Sequence, residues 1–385
     1  MRKIGVVSVA RSDYGIYKPV LNKIQEDSEL ELYLIVSGMH HSPEFGMTIR
    51  DIEADGFAIG DQFEMLLSSD SPEGVAKSMG LGTIGFAQSY SRSRPDLLLV
   101  LGDRFEMLSA VVASLPFKIP IAHLHGGEST EGLIDEPIRH SITKMSHIHF
   151  VSTEVYAKRV IQMGEEPWRV HVSGAPSLDN LNEIELLDRS ALQKRAGLDL
   201  DNETLLVTYH PVTLEYERTE EHMKALLAAL EEVGRQVVFT YPNADTQGRL
   251  IIGMIQDFVK RYPKAKIATN LGTQAYFSLM ECAAAMIGNS SSGIIEAASF
   301  ALPVVNIGNR QRGRVHGINV LDVGDAYSEI LAGIRDATSP AFRNSLAGLE
   351  NPYGNGQAAA LIVDQLKAVT LDTRLLMKRF YDLGA

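Results

Sequence analysis

Between Gly288 and Arg314 the chain reads GNSSSGIIEAASFALPVVNIGNRQRGR, and these residue types suit an anion. The apolar run Ala284, Ala285, Met286, Ile287 stops at Gly288-Asn289. Ser290, Ser291, Ser292 and Gly293 follow, and apolar residues return at Ile294, Ile295, Ala297 and Ala298. This spacing predicts a strand, a tight polar loop and a helix start. Unpaired backbone N–H groups, the positive end of a helix dipole and several hydroxyls would then face one point. Glu296, placed on the first turn, could hold sugar hydroxyls. Arg310, Arg312 and Arg314 come one strand later and could supply cations. A helix cap alone needs a single hydroxyl. Three serines, two glycines and a basic loop exceed that need and favour a phosphate or diphosphate site.

A second set of chemically able residues lies in the first half. Gly102-Asp103-Arg104 directly follows the apolar run LLLVL, and His125-Gly126-Gly127-Glu128 follows Ile121-Ala122-His123-Leu124. Asp135-Glu136-Pro137 comes after a short loop. Clustered carboxylates push one another's pKa values apart, leaving one group to accept a proton and another to donate it. Asp135 and Glu136 read equally well as acids in a helix's first turn. Arg11, after the first apolar run, could grip a phosphate bidentately or pair locally with Asp13. The turn ARSDYG lacks GxGxxG, so no dinucleotide cofactor is expected. His210 and Asn243 follow two later runs. His210 could protonate or neutralise a departing phosphate oxygen, or cap a loop. His123 and His125 would share one strand face, and His147 and His149 repeat that spacing. The neighbouring residues complete no recognisable ligand set, so no metal is expected.

Those residues need a scaffold. Short apolar runs alternate with helical patterns at Ile4–Val9, Leu32–Val36, Leu97–Leu101, Ile119–Ala122, Ile148–Val151 and Val170–Val172. A second series covers Leu205–Thr208, Val237–Phe239, Ala285–Ile287 and Val304–Ile307. Strands apolar on both faces belong to parallel sheets covered by helices. The chain is therefore expected to be α/β, with two doubly wound Rossmann-like domains facing a cleft. Residues 1–175 would form the domain carrying the acids and 176–365 the anion-binding domain. Residues 366–385 would add a terminal helix packing back on the first. In such sheets ligands bind beyond the carboxyl ends of the strands, where every motif above falls.

A length of 385 residues suits two domains, and 45% apolar with 22% charged residues is a globular profile. The net charge of −12 argues against nucleic-acid or anionic-membrane partners, so any phosphate must be held by local dipoles and a few arginines. A single cysteine excludes an internal disulfide framework and fits a reducing cytoplasm. No run approaches the roughly 20 apolar residues of a membrane span.

Taken in order, the motifs resemble the hydrolysing UDP-N-acetylglucosamine 2-epimerases of bacterial sialic-acid and related nonulosonic-acid pathways. They are ARSDYG, SGMH at 37–40, LGDRFE at 101–106, HLHGGE at 123–128, IDEPIRHSITKMSH at 134–147, GAPSLD at 174–179, YHPVT at 209–213, YPNADT at 241–246, IGNSSSGIIE at 287–296 and NIGNRQRGR at 306–314. The resemblance implies a glycosyltransferase B type fold with UDP bound mainly by the second domain. UDP contacts would fall to Arg11, His210, Asn243, Ser290, Ser291 and Glu296, with Arg310 or Arg314 nearby. Acid–base and leaving-group roles would fall to Asp103, Arg104, Glu128, Asp135 and Glu136.

The implied reaction eliminates UDP to give 2-acetamidoglucal, then hydrates it to free N-acetylmannosamine, the first step of sialic-acid biosynthesis. It calls for no cofactor or metal. UDP-N,N'-diacetylbacillosamine is the alternative substrate. A UDP-sugar glycosyltransferase and a non-catalytic nucleotide-sugar-binding protein are the competing classes. Relatives that do not hydrolyse, and some that do, carry glutamate where this chain has His125. The first base is thus His125, Glu128 or Asp103. The resemblance also implies a homo-oligomer.

Overall fold

The computed structural model describes the chain except residues 44–45, 68–70, 132–133, 198, 213–214, 243–246, 269–270 and 385, and the side chain of Ala196. Asn243 therefore lies outside the described residues. Two compact units form. The first comprises Met1–Glu128, Asp135–Asn180 and Gly354–Ala385, and the second comprises Ser129–Ile134 and Leu181–Tyr353.

The first unit holds a seven-stranded parallel sheet: β1 (Arg2–Ser8), β2 (Leu30–Val36), β3 (Ile59–Gln62), β4 (Leu97–Leu101), β5 (Ile121–Leu124), β6 (Ile148–Val151) and β7 (Val170–Val172). Its order is β3-β2-β1-β4-β5-β6-β7. The second holds β8 (Leu205–Thr208), β9 (Val237–Thr240), β10 (Ala265–Ala268), β11 (Ala285–Gly288), β12 (Val304–Ile307) and β13 (Val320–Val323), ordered β10-β9-β8-β11-β12-β13. Both sequences of neighbours follow the doubly wound pattern, whose order reverses beside the first strand. The switch points therefore lie between β1 and β4 and between β8 and β11.

Central strands are buried throughout; Leu97, Leu98, Leu99 and Val100 are all inaccessible. Unit 1 adds a late element to its core. The helix Ala358–Ala368 buries Ile362, Val363 and Leu366 in one cluster with Ile4, Val6, Leu97 and Leu99. Each such side chain contributes about 1.5–3 kcal/mol. Asp179 binds the first amides of that helix, Ala358 N at 3.0 Å and Ala359 N at 2.7 Å. No helix among the described residues is long and apolar enough to cross a membrane.

Two local expectations need correction. The helix after the serine loop is only Ser291–Ile295, so Glu296 caps its C-terminal end instead of lying on its first turn. A single turn also carries little of a macrodipole, which leaves anion binding to amides, hydroxyls and arginines. His125 lies beyond β5, with φ +61°, so it does not share a strand face with His123.

Candidate active site

In unit 1 the acid cluster gathers around a buried arginine. Asp103 follows Gly102 past the end of β4, and Arg104 caps the helix Phe105–Ser114. Asp135 and Glu136 open the helix Asp135–Met145. Four residues after Asp135 on that helix, Arg139 is 1% exposed. Its guanidinium pairs with Asp103, lies 2.7 Å from Glu136 Oε2 and donates to the Glu128 carbonyl at 3.1 Å. Burial opposes its charge, but the carboxylates of Asp103, Glu128 and Glu136 outweigh that and raise its pKa further. Arg139 is thus permanently cationic and cross-links three of the five acid–base candidates. Arg104 pairs with Glu106 at 3.3 Å.

Beside this cluster stands His125. Its Nδ1 lies 2.6 Å from Glu128 Oε1 and 3.0 Å from Ser152 Oγ, and Ser152 Oγ donates to Glu128 Oε1 at 3.3 Å. All three residues are buried. Gly127 makes the turn possible: its φ is +75°, and a Cβ there would lie 2.6 Å from the Tyr156 carbonyl oxygen. The other histidines are committed elsewhere. His123 binds the Gly102 carbonyl at 2.8 Å, and burial pushes its pKa down to about 3. His149 lies 3.0 Å from Glu165, and His147 Nδ1 accepts from Ile121 N at 3.1 Å. Arg11 opens the helix Arg11–Glu26, is exposed, and makes no ion pair among the described residues. Asp13 instead accepts from Ser8, Val9 N and Ala10 N.

In unit 2 the loops after β8, β11 and β12 are tied together by Asn289. Its side chain accepts from His210 N at 2.7 Å and donates to the His210 carbonyl at 2.9 Å. Its own carbonyl accepts from Gln311 Nε2 at 2.8 Å and Arg310 Nη1 at 3.2 Å. Ser290 caps the short helix, its Oγ accepting from Ser292 N at 3.3 Å, so one of the three serines serves the helix itself. Tyr276 reaches the same loop. Burial and then the Glu296 carboxylate raise its pKa to about 12, while hydrogen bonds with Ser292, Thr208 and Ser290 work against the rise. Burial, then Arg310, holds His210 well below the ordinary histidine value. At neutral pH it is a hydrogen-bond donor, not an acid. Arg312, Arg314, Asn306 and Asp322 line a cavity of about 410 Å³ that borders the basic loop.

One group of three ligand-type side chains exists among the described residues: Glu215, His222 and Asp325, mutually within 4.8 Å. Arg218 already sits 3.2 Å from Asp325 and 3.8 Å from Glu215. The cluster is an ion-pair network with its own cation.

Reasoning from the sequence passed over Arg139, Ser152, Asn289 and Tyr276. The spacing of Glu136 and Arg139 puts both on one helix face and was a usable signal. Ser152 sits just past a strand's carboxyl end, as the other motifs do. Nothing local marks Tyr276, whose place depends on how its helix packs.

Strand order and helix alternation put the chain among proteins with two Rossmann-like domains of the glycosyltransferase B type. Residues 22–367 match the UDP-N-acetylglucosamine 2-epimerase family. The GDP/UDP-N,N'-diacetylbacillosamine 2-epimerase (hydrolyzing) of Campylobacter jejuni is 42% identical over 385 residues, covering 99% of each chain. The UDP-N,N'-diacetylbacillosamine 2-epimerase (hydrolyzing) of Legionella pneumophila is 37% identical, over 98% of this chain and 99% of that one. Among solved structures, UDP-GlcNAc 2-epimerase from Neisseria meningitidis bound to UDP-GlcNAc has a TM-score of 0.82 at 18% identity. That match covers 95% of this chain and 100% of the other. The chain belongs to the UDP-N-acetylglucosamine 2-epimerase family of enzymes.

Proposed function

We propose that the protein is a hydrolysing 2-epimerase of a UDP-linked 2-acetamido sugar, with UDP-N,N'-diacetylbacillosamine as the substrate. The reaction class rests on the acid–histidine cluster of unit 1, which Arg139 holds together without using up every proton-transfer group. The sugar rests on the Campylobacter and Legionella proteins, which are named for it and align along nearly the full length. This choice reverses the order in the sequence reading, which put UDP-N-acetylglucosamine first.

In this scheme unit 2 holds the nucleotide. Ser290, Ser291, Arg310 and Arg314 would hold the diphosphate, and Glu296 the ribose. Asn243 is expected to join them. His210 would donate a neutral hydrogen bond. As the bond from sugar carbon 1 to the diphosphate oxygen breaks, fixed cations and amides stabilise the charge that develops. The carbon-2 proton is a weak acid, so its removal is coupled to that departure. The leaving diphosphate takes the electron pair with it, so the step calls for no electron acceptor. Arg104 and Arg139 would orient the sugar and the acids around it, and Asp103, Asp135 and Glu136 would supply protons for hydration.

The test is incubation with UDP-N,N'-diacetylbacillosamine in deuterated water, followed by NMR. The expected products are UDP and the free carbon-2 epimer carrying deuterium at carbon 2. Turnover of UDP-N-acetylglucosamine alone, giving deuterated N-acetylmannosamine, would move the substrate back to that sugar. Release of the unepimerised sugar without exchange would remove the elimination mechanism.

A further inference from the structure

Three groups compete for the role of first base, and their surroundings differ. The Asp103 carboxylate is tied to the buried, permanently charged Arg139. Glu128 is 1% exposed, and its Oε1 receives both His125 Nδ1 and the Ser152 hydroxyl. A carboxylate so placed only accepts, which leaves the proton of a neutral His125 on Nδ1 and its lone pair on Nε2. Among the described residues, His125 Nε2 is the one polar side-chain atom of the trio that is buried with no hydrogen-bond partner. The backbone supports the same reading. His125 holds φ +61°, uncommon for a residue with a side chain, and its amide is anchored to the Phe150 carbonyl at 3.0 Å. Together the turn, the anchor and the Nδ1 contacts hold the ring so that only Nε2 is left for a ligand.

We infer that His125 Nε2 is the base that takes the sugar carbon-2 proton, with Glu128 and Ser152 as its positioning residues. The inference rests on the 2-epimerase reading above. In the step, the electron pair of the carbon-2–hydrogen bond becomes the second bond between carbons 1 and 2. The pair of the carbon-1–oxygen bond leaves with the nucleotide diphosphate, and the proton stays on Nε2. Glu128 then faces an imidazolium across a 2.6 Å contact and stabilises it. Where relatives place a glutamate base, this chain divides the task between a histidine that moves the proton and a glutamate that holds the histidine.

The experiment compares wild type with His125→Gly, His125→Asn, Ser152→Ala and Ser152→Thr, measuring UDP affinity by calorimetry and turnover by NMR in deuterated water. Glycine and asparagine both tolerate the positive φ, so UDP affinity should stay within about threefold of wild type. Turnover of both His125 variants should fall by about 10²–10⁴-fold, and added imidazole should restore His125→Gly by at least about tenfold. Ser152→Ala should lower kcat by about tenfold at unchanged KM, with Ser152→Thr recovering most of it. Near wild-type turnover in either His125 variant overturns the assignment. So does a His125→Gly protein that binds UDP normally and ignores imidazole. A wild-type protein that binds UDP yet turns over neither sugar overturns the 2-epimerase reading itself, and the assignment with it.

Discussion

Arg139 shows how one buried charge can organise several acids. Its partners Asp103 and Glu136 lie on different elements, and its third contact is a backbone carbonyl. Removing one partner of such a cluster leaves uncompensated buried charge, so Arg139→Ala should destabilise unit 1 by about 3–5 kcal/mol. Urea unfolding measures this, and a loss below about 1 kcal/mol would show that the carboxylates do not depend on the guanidinium. The buried histidines set an acid limit by a separate route. Unfolded, His123 and His147 protonate near pH 6.5; folded, burial holds them to about 3 and 4, with Lys378 and Arg169 adding to the effect at His147. Below pH 6.5 the unfolded chain therefore binds more protons, and stability present above that pH is lost on acidification. Each histidine contributes a slope of up to about 1.4 kcal/mol per pH unit. Denaturation at pH 7, 6 and 5 should show the fall, and His123→Gln should flatten it by about one proton's worth. An unchanged slope in that variant would exclude His123 as a source. The chemistry-bearing residues themselves were legible, because acids, histidines and arginines just after apolar runs stand out. Which of them touch was not, since Arg139 meets Asp103 across 36 positions.

Loops at strand ends carry the site, and their geometry depends on glycine at a few points. Gly288 has φ +135°, and a Cβ there would lie 1.9 Å from the Thr208 carbonyl oxygen. That approach brings β11 against β8 and starts the serine loop. Gly288→Ala should cost about 3 kcal/mol and weaken UDP binding, read by thermal melting with and without UDP. Wild-type melting in both conditions would mean that the loop relaxes freely. Element legibility followed burial. The central strands β4, β6, β8 and β12, and the edge strand β7, have the bounds expected from their apolar runs. The other edge strands, β3, β10 and β13, were passed over. Their burial alternates or is partial, as in IGDQ and VLDV, because an edge strand covers less of itself than a central one.

At the scale of the whole molecule, the last residues of the chain belong to the first unit and are fastened there by an ion pair and hydrogen bonds. Lys378 Nζ reaches Glu165 Oε2 at 2.8 Å, and Arg169 binds the Leu375 and Arg374 carbonyls at 2.9 and 3.0 Å. Glu165 is fully buried. Burial alone would raise its pKa, but hydrogen bonds from His149, Lys144 and Lys378 bring it down to about 2. Deleting residues 372–385 strips one cation from that carboxylate and leaves Arg169 short of two acceptors. The expected loss is about 3 kcal/mol in the unfolding of unit 1. A truncated protein as stable as the full chain would make the tail an ornament of the surface. The sequence by itself determined the layered α/β class, the two series of strands and the motifs at their carboxyl ends. Periodicity and local residue types encode these at short range. Only the tertiary structure decided that Arg139 bridges Asp103 and Glu136, that Asn289 clamps His210, that Glu128 stands behind His125, and that residues 354–385 complete the first unit. The Asp103–Arg139 and His210–Asn289 contacts join segments remote in sequence, and the His125–Glu128 pair depends on the turn its backbone takes; packing decides each by bringing buried charges and donors within reach of a partner.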